Sequence, residues 1–158
     1  MESKCNMQQK VKLQGILKMT KTAVIYATKT RHSKKLAEAI GSFLNVKIKN
    51  ITDKPALHDI DLLFKVGGIY GGVSMPKLLD YTKKLEAPLP KSVALVTSCA
   101  SGRQKQIAVR SILEEKGIRV IDEFVCRGSI LFVSARHPNA KDLKEETDFA
   151  QKIVSTKA

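Results

Sequence analysis

The sequence predicts a doubly wound α/β sandwich: a five-stranded parallel sheet of order 2-1-3-4-5 with helices on both faces. Three observations lead there. From Thr22 onward, apolar runs of β type alternate with segments of helical period. Two of the five strand-like runs are partly polar, as edge strands are. The most apolar run, SVALVTSC at 92 to 99, suits the centre of the sheet.

TAVIYA (22 to 27) is the first strand. The helix that follows places Leu36, Ala37, Ile40, Phe43 and Leu44 on one stripe. VKIKNI (46 to 51) alternates apolar and polar residues, which marks a half-buried edge strand. DLLFKVGGIY (61 to 70) is the third strand and runs into Gly71 and Gly72. Pro76 suits the first turn of a helix that turns Leu78, Tyr81, Thr82 and Leu85 inward. After the fourth strand, SVALVTSC, helical period returns over 104 to 116 through Ala108, Val109, Ile112 and Leu113, and Gly117 ends it. RVIDEFVC (119 to 126) is the fifth strand. The closing helix starts at HPNAKD, where Asn139 caps and Asp142 sits three residues later, and it buries Leu143, Ala150, Ile153 and Val154.

A chain of 158 residues is long enough for one domain with a single sizeable core. That domain is read as 22 to 158, with 1 to 21 a basic extension that need not be ordered. Charged residues at 27% and apolar ones at 43% are ordinary for a globular protein. No apolar run approaches the roughly 20 residues that span a bilayer, so no membrane insertion is expected. The opening MESKCNMQQKVKLQGILKMTK lacks a continuous hydrophobic segment of the secretory kind, and a cytoplasmic address is the expectation. Cys5, Cys99 and Cys126 form no C-x-x-C pair, which suits a reducing compartment and gives no zinc pattern. The unusual quantity is a net charge of +13. Five lysines against one glutamate put +4 in residues 1 to 21 and leave +9 beyond them. A field of that sign favours acidic partners, nucleic acid or anionic surfaces, and leaves fold and function open.

In a sheet of this order, ligands bind beyond the carboxyl ends of the strands, beside the switch point between strands one and three. The segments to inspect are therefore 26 to 33, 70 to 75, 98 to 103 and 126 to 128. The first is the most distinctive. YATKTRHSKKLAEAI begins as a strand and ends as an amphipathic helix, with hydroxyls and cations in the turn between them. A helix N-terminus offers unpaired N–H groups and partial positive charge, and Thr28, Thr30 and Ser33 add three hydroxyls. Two readings stand side by side: Ser33 or Thr30 caps the helix, or the turn holds a phosphate.

The segment TKTRHS (28 to 33) resembles the phosphate-binding motif T/S-x-T-G-x-T of the flavodoxin family, aligning at Thr28, Thr30 and Ser33. The resemblance extends over about 22 to 154 through IYGG, TSCASG and CRGSILFVSARHPNAKDL. It implies a flavodoxin-like fold with FMN as cofactor, the 5′-phosphate held by Thr28, Lys29, Thr30, Arg31, His32 and Ser33. Arg31 stands where the family has Gly. Either the turn avoids a positive φ there, or Arg31 covers the site or adds charge to it. In the family a peptide beside the flavin reorients on reduction, and Gly71 and Gly72 permit such a move; the pair equally suits a tight turn. The resemblance places Tyr70, Gly71, Gly72 and Val73 on one side of the ring, with Tyr70 stacking. A Tyr ending a buried strand with its hydroxyl at the surface is the alternative. Ser98, Cys99, Ala100, Ser101 and Gly102 resemble the loop that meets the pyrimidine edge, where small residues let backbone approach closely. Cys99 also reads as a small buried hydrophobe, and a reversible pair with Cys126 is the redox alternative. His137 is better explained by helix initiation than by acid–base work.

The resemblance implies an FMN-binding electron-transfer protein that docks on redox partners with acidic surfaces. The alternatives are an FMN-dependent oxidoreductase of the same fold, of protoporphyrinogen oxidase or quinone reductase type, and a basic binding module without flavin. Three Tyr, five Phe and no Trp supply few stacking platforms, which tells against nucleic acid. A receiver domain shares the strand order but needs an acidic cluster after its first strand, and YATK has none. No Ser–His–Asp set, metal-ligand spacing or Walker motif is present.

Overall fold

A computed structural model describes residues 7–8, 11–12, 14–15, 20–29, 31–128 and 137–156. Among the described residues from Thr22 on, six strands and four helices follow in chain order: β1 (Thr22–Tyr26), α1 (His32–Leu44), β2 (Ile48–Asn50), a 3-10 turn at Ile51–Asp53, β3 (Leu62–Tyr70), β4 (Val73–Ser74), α2 (Pro76–Lys83), β5 (Ser92–Cys99), α3 (Ile107–Glu115), β6 (Arg119–Arg127) and α4 (Ala140–Ser155). The parallel order is β2-β1-β3-β5-β6, the expected 2-1-3-4-5, with short β4 paired antiparallel to β3. β2 and β6 are the edges, and both are only partly buried.

Alternation along the strands divides the core into two layers. Val24, Tyr26, Phe64, Val66, Ala94, Val96 and Cys126 face α1 and α4. Ala23, Ile25, Leu63, Val93 and Leu95 face α2, α3 and the 3-10 turn. Each fully buried Leu, Ile or Phe contributes about 1.5–3 kcal/mol relative to exposure.

The helix ends follow local chemistry. Asn45, at φ 54°, closes α1, and the Val46 N–H returns to the Gly41 carbonyl at 2.8 Å. Pro76 occupies the first turn of α2, and Gly117, at φ 76°, follows α3. Asn139 and Asp142 form a reciprocal capping box at α4.

Several expectations change. β3 is the middle strand, and β5, buried throughout, lies beside it. Ala108 faces solvent, because α3 rolls inward only Val109 and Leu113. Ser33 is no cap: it is fully buried inside the first turn of α1, whose N-cap Arg31 makes no side-chain capping bond. Thr30, the other candidate cap, lies outside the described residues, as do 129 to 136 of the C-terminal segment that carries part of the family resemblance. The Cys99–Cys126 pair is also ruled out. Cys126 stands opposite Ser98 in the ladder, so it and Cys99 point to opposite faces of the sheet.

Candidate functional site

The chain reverses its winding between β1 and β3, and the loops at the carboxyl ends of four strands converge there. The Lys29 amide donates to the Tyr70 hydroxyl at 3.4 Å, joining the first loop to the second. A Cβ on Gly72 would lie 3.9 Å from Gln104 Nε2, which sets the second loop beside the third. The third and fourth are tied by the Gly128 amide to the Cys99 carbonyl at 2.8 Å and by Arg127 Nε to the Ala100 carbonyl at 3.4 Å.

In the first loop, Thr28 Oγ1 and Ser33 Oγ are both buried and have no hydrogen-bond partner among the described residues. A buried hydroxyl left this way costs about 1–3 kcal/mol. Arg31 sits between them at φ 65°, ψ −8°. The turn therefore keeps the left-handed conformation of a glycine with an arginine in it, and the expectation that Arg31 marks an avoided positive φ does not hold. For a non-glycine residue that backbone costs roughly 1–2 kcal/mol. The Arg31 side chain is exposed, as is Lys29, whereas His32 is half-buried. Burial, assisted by the charge of Lys35, lowers the His32 pKa and favours the neutral ring. Two hydroxyls, the first amides of α1 and an adjacent guanidinium make a donor set matched to an anion with several acceptor oxygens.

In the second loop, Gly71 and Gly72 have φ of 59° and 81° and join β3 to β4 as a two-residue hairpin. Both central residues of that turn need positive φ, which fixes the Gly pair physically. Val73 stands 60% exposed at the hairpin. Tyr70 is half-buried, and its hydroxyl meets the exposed Lys29 amide. Its ring folds back over Gly68, where a Cβ would come within 2.8–2.9 Å of ring atoms, and the Lys29 ammonium lies 5.1 Å from the ring centroid.

The third loop opens with a turn in which the Gly102 amide donates to the Cys99 carbonyl at 3.1 Å. Ala100 is half-buried and Ser101 exposed, and the Ser101 hydroxyl accepts from the Arg103 amide at 3.3 Å. Ser98 and Cys99 are buried, and Cys99 Sγ accepts from the Gln104 amide at 3.3 Å. Cys126, on the other face, is a poor thiolate: burial first, then the carboxylates of Asp142 and Glu146, push its pKa up to about 12.

A buried network beneath this loop was not anticipated. The Glu123 carboxylate accepts from the Thr97 hydroxyl at 2.6 Å and from the Gln106 amide at 2.7 Å, with Arg110 at 3.7 Å. It caps α3 from another strand and so holds the end of the third loop. The signal was a lone Glu in the otherwise apolar second half of RVIDEFVC. His137 Nδ1 meets Asp142 Oδ2 at 2.6 Å, and that oxygen also accepts from the Asn139 amide at 2.8 Å, which fits helix initiation.

The four loops hold Lys29, Arg31, Lys34, Lys35, Arg103, Lys105 and Arg127, and no Asp or Glu in 26–35, 70–75, 98–106 or 126–128. The crevice is rimmed by cations and by two exposed apolar side chains, Val73 and Ile107. Among the described residues, no helix is long and apolar enough to cross a membrane.

No protein-family model and no curated sequence matches the chain. Solved structures do. A flavodoxin from the domain Archaea superposes with a TM-score of 0.61 at 18% identity, covering 85% of this chain and 96% of its own. A short-chain flavodoxin associated with a PDU bacterial microcompartment gives 0.63 at 18%, with coverages of 87% and 99%. An NAD(P)H:quinone oxidoreductase from Methanothermobacter marburgensis gives 0.58 at 8%, with coverages of 84% and 93%. With strand order, helix placement and near-complete superposition in agreement, the chain has the flavodoxin-like α/β fold.

Proposed function

We propose that this protein binds FMN and carries electrons between protein partners. The observation that supports it most is the pair of orphaned buried hydroxyls, Thr28 Oγ1 and Ser33 Oγ, in a helix-initiating turn whose Arg31 holds a glycine-like backbone. A phosphate monoester would satisfy both and accept from the first amides of α1 and from Arg31. Lys29, Thr30 and His32 complete that turn. Tyr70, Gly71, Gly72 and Val73 on one side, and Ser98, Cys99, Ala100, Ser101 and Gly102 on the other, would flank the ring. When bound, FMN supplies one-electron exchange. The chain's own work is to hold the phosphate, fix the two loops and shape the rim.

That rim carries cations and no carboxylate, so the partners of this reading present acidic surfaces around their redox groups. A cytoplasmic address fits such a shuttle. The neighbouring quinone oxidoreductase keeps the enzymatic alternative of the same fold in view. Reduced protein offered an acidic one-electron protein acceptor and, separately, a small quinone distinguishes the two. A carrier serves the first quickly, with a rate that salt depresses, and shows no saturable turnover of the second. Saturable quinone reduction would assign the enzyme, and absence of flavin binding would leave the basic module.

A further inference from the structure

A cavity of about 580 Å³ lies on the α2 side of the sheet, between residues 51–58 and the outer face of α2 with the 84–90 loop. It shares no residue with the four loops described above. Its size is that of a small-molecule site, and it has an apolar floor: Ile51 and Leu57 are buried core residues, and Leu85 packs against the same core. Its mouth carries Lys54, Lys77 and Lys84, none of them in an ion pair among the described residues, against Asp80 and Glu86.

One wall is the ring of Tyr81, held to the 54–58 segment by a hydrogen bond from its hydroxyl to the Pro55 carbonyl at 3.3 Å. Against that ring lies Lys65. It is 0% exposed in the middle strand, between Ile25 and Leu95, and its Nζ has no hydrogen-bond partner among the described residues. The Tyr81 ring centroid lies 5.0 Å from that Nζ. An unpaired ammonium in this position is expensive and gains nothing from the sheet, where an apolar chain of the same length would pack better. The same Tyr81 lines the cavity, whose rim sets three lysines against Asp80 and Glu86. A monoanion in that cavity would relieve the strain on both.

We propose that the cavity binds a small carboxylic acid with an apolar body, the hydrocarbon against Ile51, Leu57 and Tyr81 and the carboxylate balanced by the rim lysines and by Lys65 across the Tyr81 ring. Lys65 is thus a buried counter-charge, and binding draws a proton onto it from solution. Burial lowers its pKa to about 7, so near pH 8 it is largely neutral before binding. The other titratable groups facing the cavity are His58, Tyr81, Asp80, Glu86 and the rim lysines. Burial raises the Tyr81 pKa to about 12, which keeps it protonated throughout.

The test is calorimetric titration of the full chain with 2-naphthoate at pH 8, in two buffers of different ionisation enthalpy, with 2-naphthalenemethanol as the uncharged probe. One naphthoate should bind, with uptake of a substantial fraction of a proton, and about tenfold more tightly than the alcohol. Lys65→Met, which replaces the cation with an apolar chain and keeps the fold, should abolish the proton uptake and weaken naphthoate but not the alcohol. His58→Asn should leave the uptake intact, and Lys77→Glu with Lys84→Glu should weaken naphthoate severalfold. Saturating FMN should change none of this, so the result does not depend on the flavin reading. Naphthoate that does not bind, that FMN displaces, that binds no better than the alcohol, or that binds Lys65→Met unchanged overturns the proposal.

Discussion

The backbone N–H of Lys29 donates to the hydroxyl of Tyr70 while the Lys29 ammonium lies 5.1 Å from the centre of the same ring, so one tyrosine at the end of β3 grips the turn that follows β1. The two segments are 41 residues apart in sequence. The ring has room to lie there because Gly68 lacks a Cβ. If this contact positions the turn, Tyr70→Phe, which keeps the ring, should cost at most about 1 kcal/mol of stability and leave FMN affinity within about threefold. Tyr70→Ala removes both attachments and should weaken FMN about tenfold or more. Tighter binding by the Ala variant, measured by fluorescence quenching, would show that the ring covers the crevice.

Arg31 combines a strained backbone with a useful charge, and two substitutions separate them. Arg31→Gly relieves the left-handed conformation and should raise stability of the flavin-free protein by about 0.5–1 kcal/mol, after the extra chain entropy of glycine. Arg31→Ala keeps the Cβ and should bring no such gain. Both lose the guanidinium and should weaken FMN by about 1.5–3 kcal/mol. Glycine strengthening the complex would mean that Arg31 blocks the pocket.

Two buried ionisable side chains shape stability against pH in opposite senses. Burial lowers Lys65 to about pKa 7, whereas an unfolded lysine titrates near 10.4. Between those values the unfolded chain holds the extra proton, so stability rises with pH. Glu146, fully buried with neither oxygen hydrogen-bonded among the described residues, is raised by burial to about 9, against roughly 4.3 unfolded. Between those values the folded chain holds the extra proton, so stability falls as pH rises. The two oppose each other from about pH 7 to 9. Relative to the parent, Glu146→Gln should remove a fall between pH 5 and 7, and Lys65→Met a rise above pH 9. Each slope is at most about 1.4 kcal/mol per pH unit. Urea titrations across pH measure both, and a parent curve unaltered by either variant would remove the groups from the account.

The Glu123 cap offers a cleaner stability test, because its carboxylate serves Thr97, Gln106 and Arg110 at once. Glu123→Ala strands a buried hydroxyl and a backbone amide and should cost about 3 kcal/mol in chemical denaturation. Glu123→Gln keeps an acceptor and should cost about half of that. Equal losses would place the effect in packing.

Much of this was legible in the chain. Strand order followed from the half-polar edges, the stops and starts of the helices from Pro76, Gly117 and the Asn139–Asp142 box, and the convergence of the four loops from the order itself. What escaped were local events that tertiary packing decides. Ala108 shares its helix with Val109 yet faces solvent, because the roll of α3 is set by its neighbours. Lys65 reads as one polar residue in an apolar strand, and only the sheet shows both of its sides covered. Glu146 falls three residues after half-buried Leu143 and four before buried Ala150, on the stripe that faces the core, so its burial was implicit in the period. The αL backbone of Arg31 was hinted at only by the family's Gly at that position, since an arginine does not by itself favour positive φ.

The central claim is that the turn at 28 to 33 holds a phosphate, and the direct measurement is titration of flavin-free protein with FMN and with riboflavin, which differ by that phosphate alone. FMN should bind at least about a hundredfold more tightly, as expected of two or more charge-assisted hydrogen bonds. Thr28→Val and Ser33→Ala should each narrow the gap by weakening FMN and not riboflavin. Riboflavin binding as tightly as FMN, with neither substitution mattering, would contradict the account.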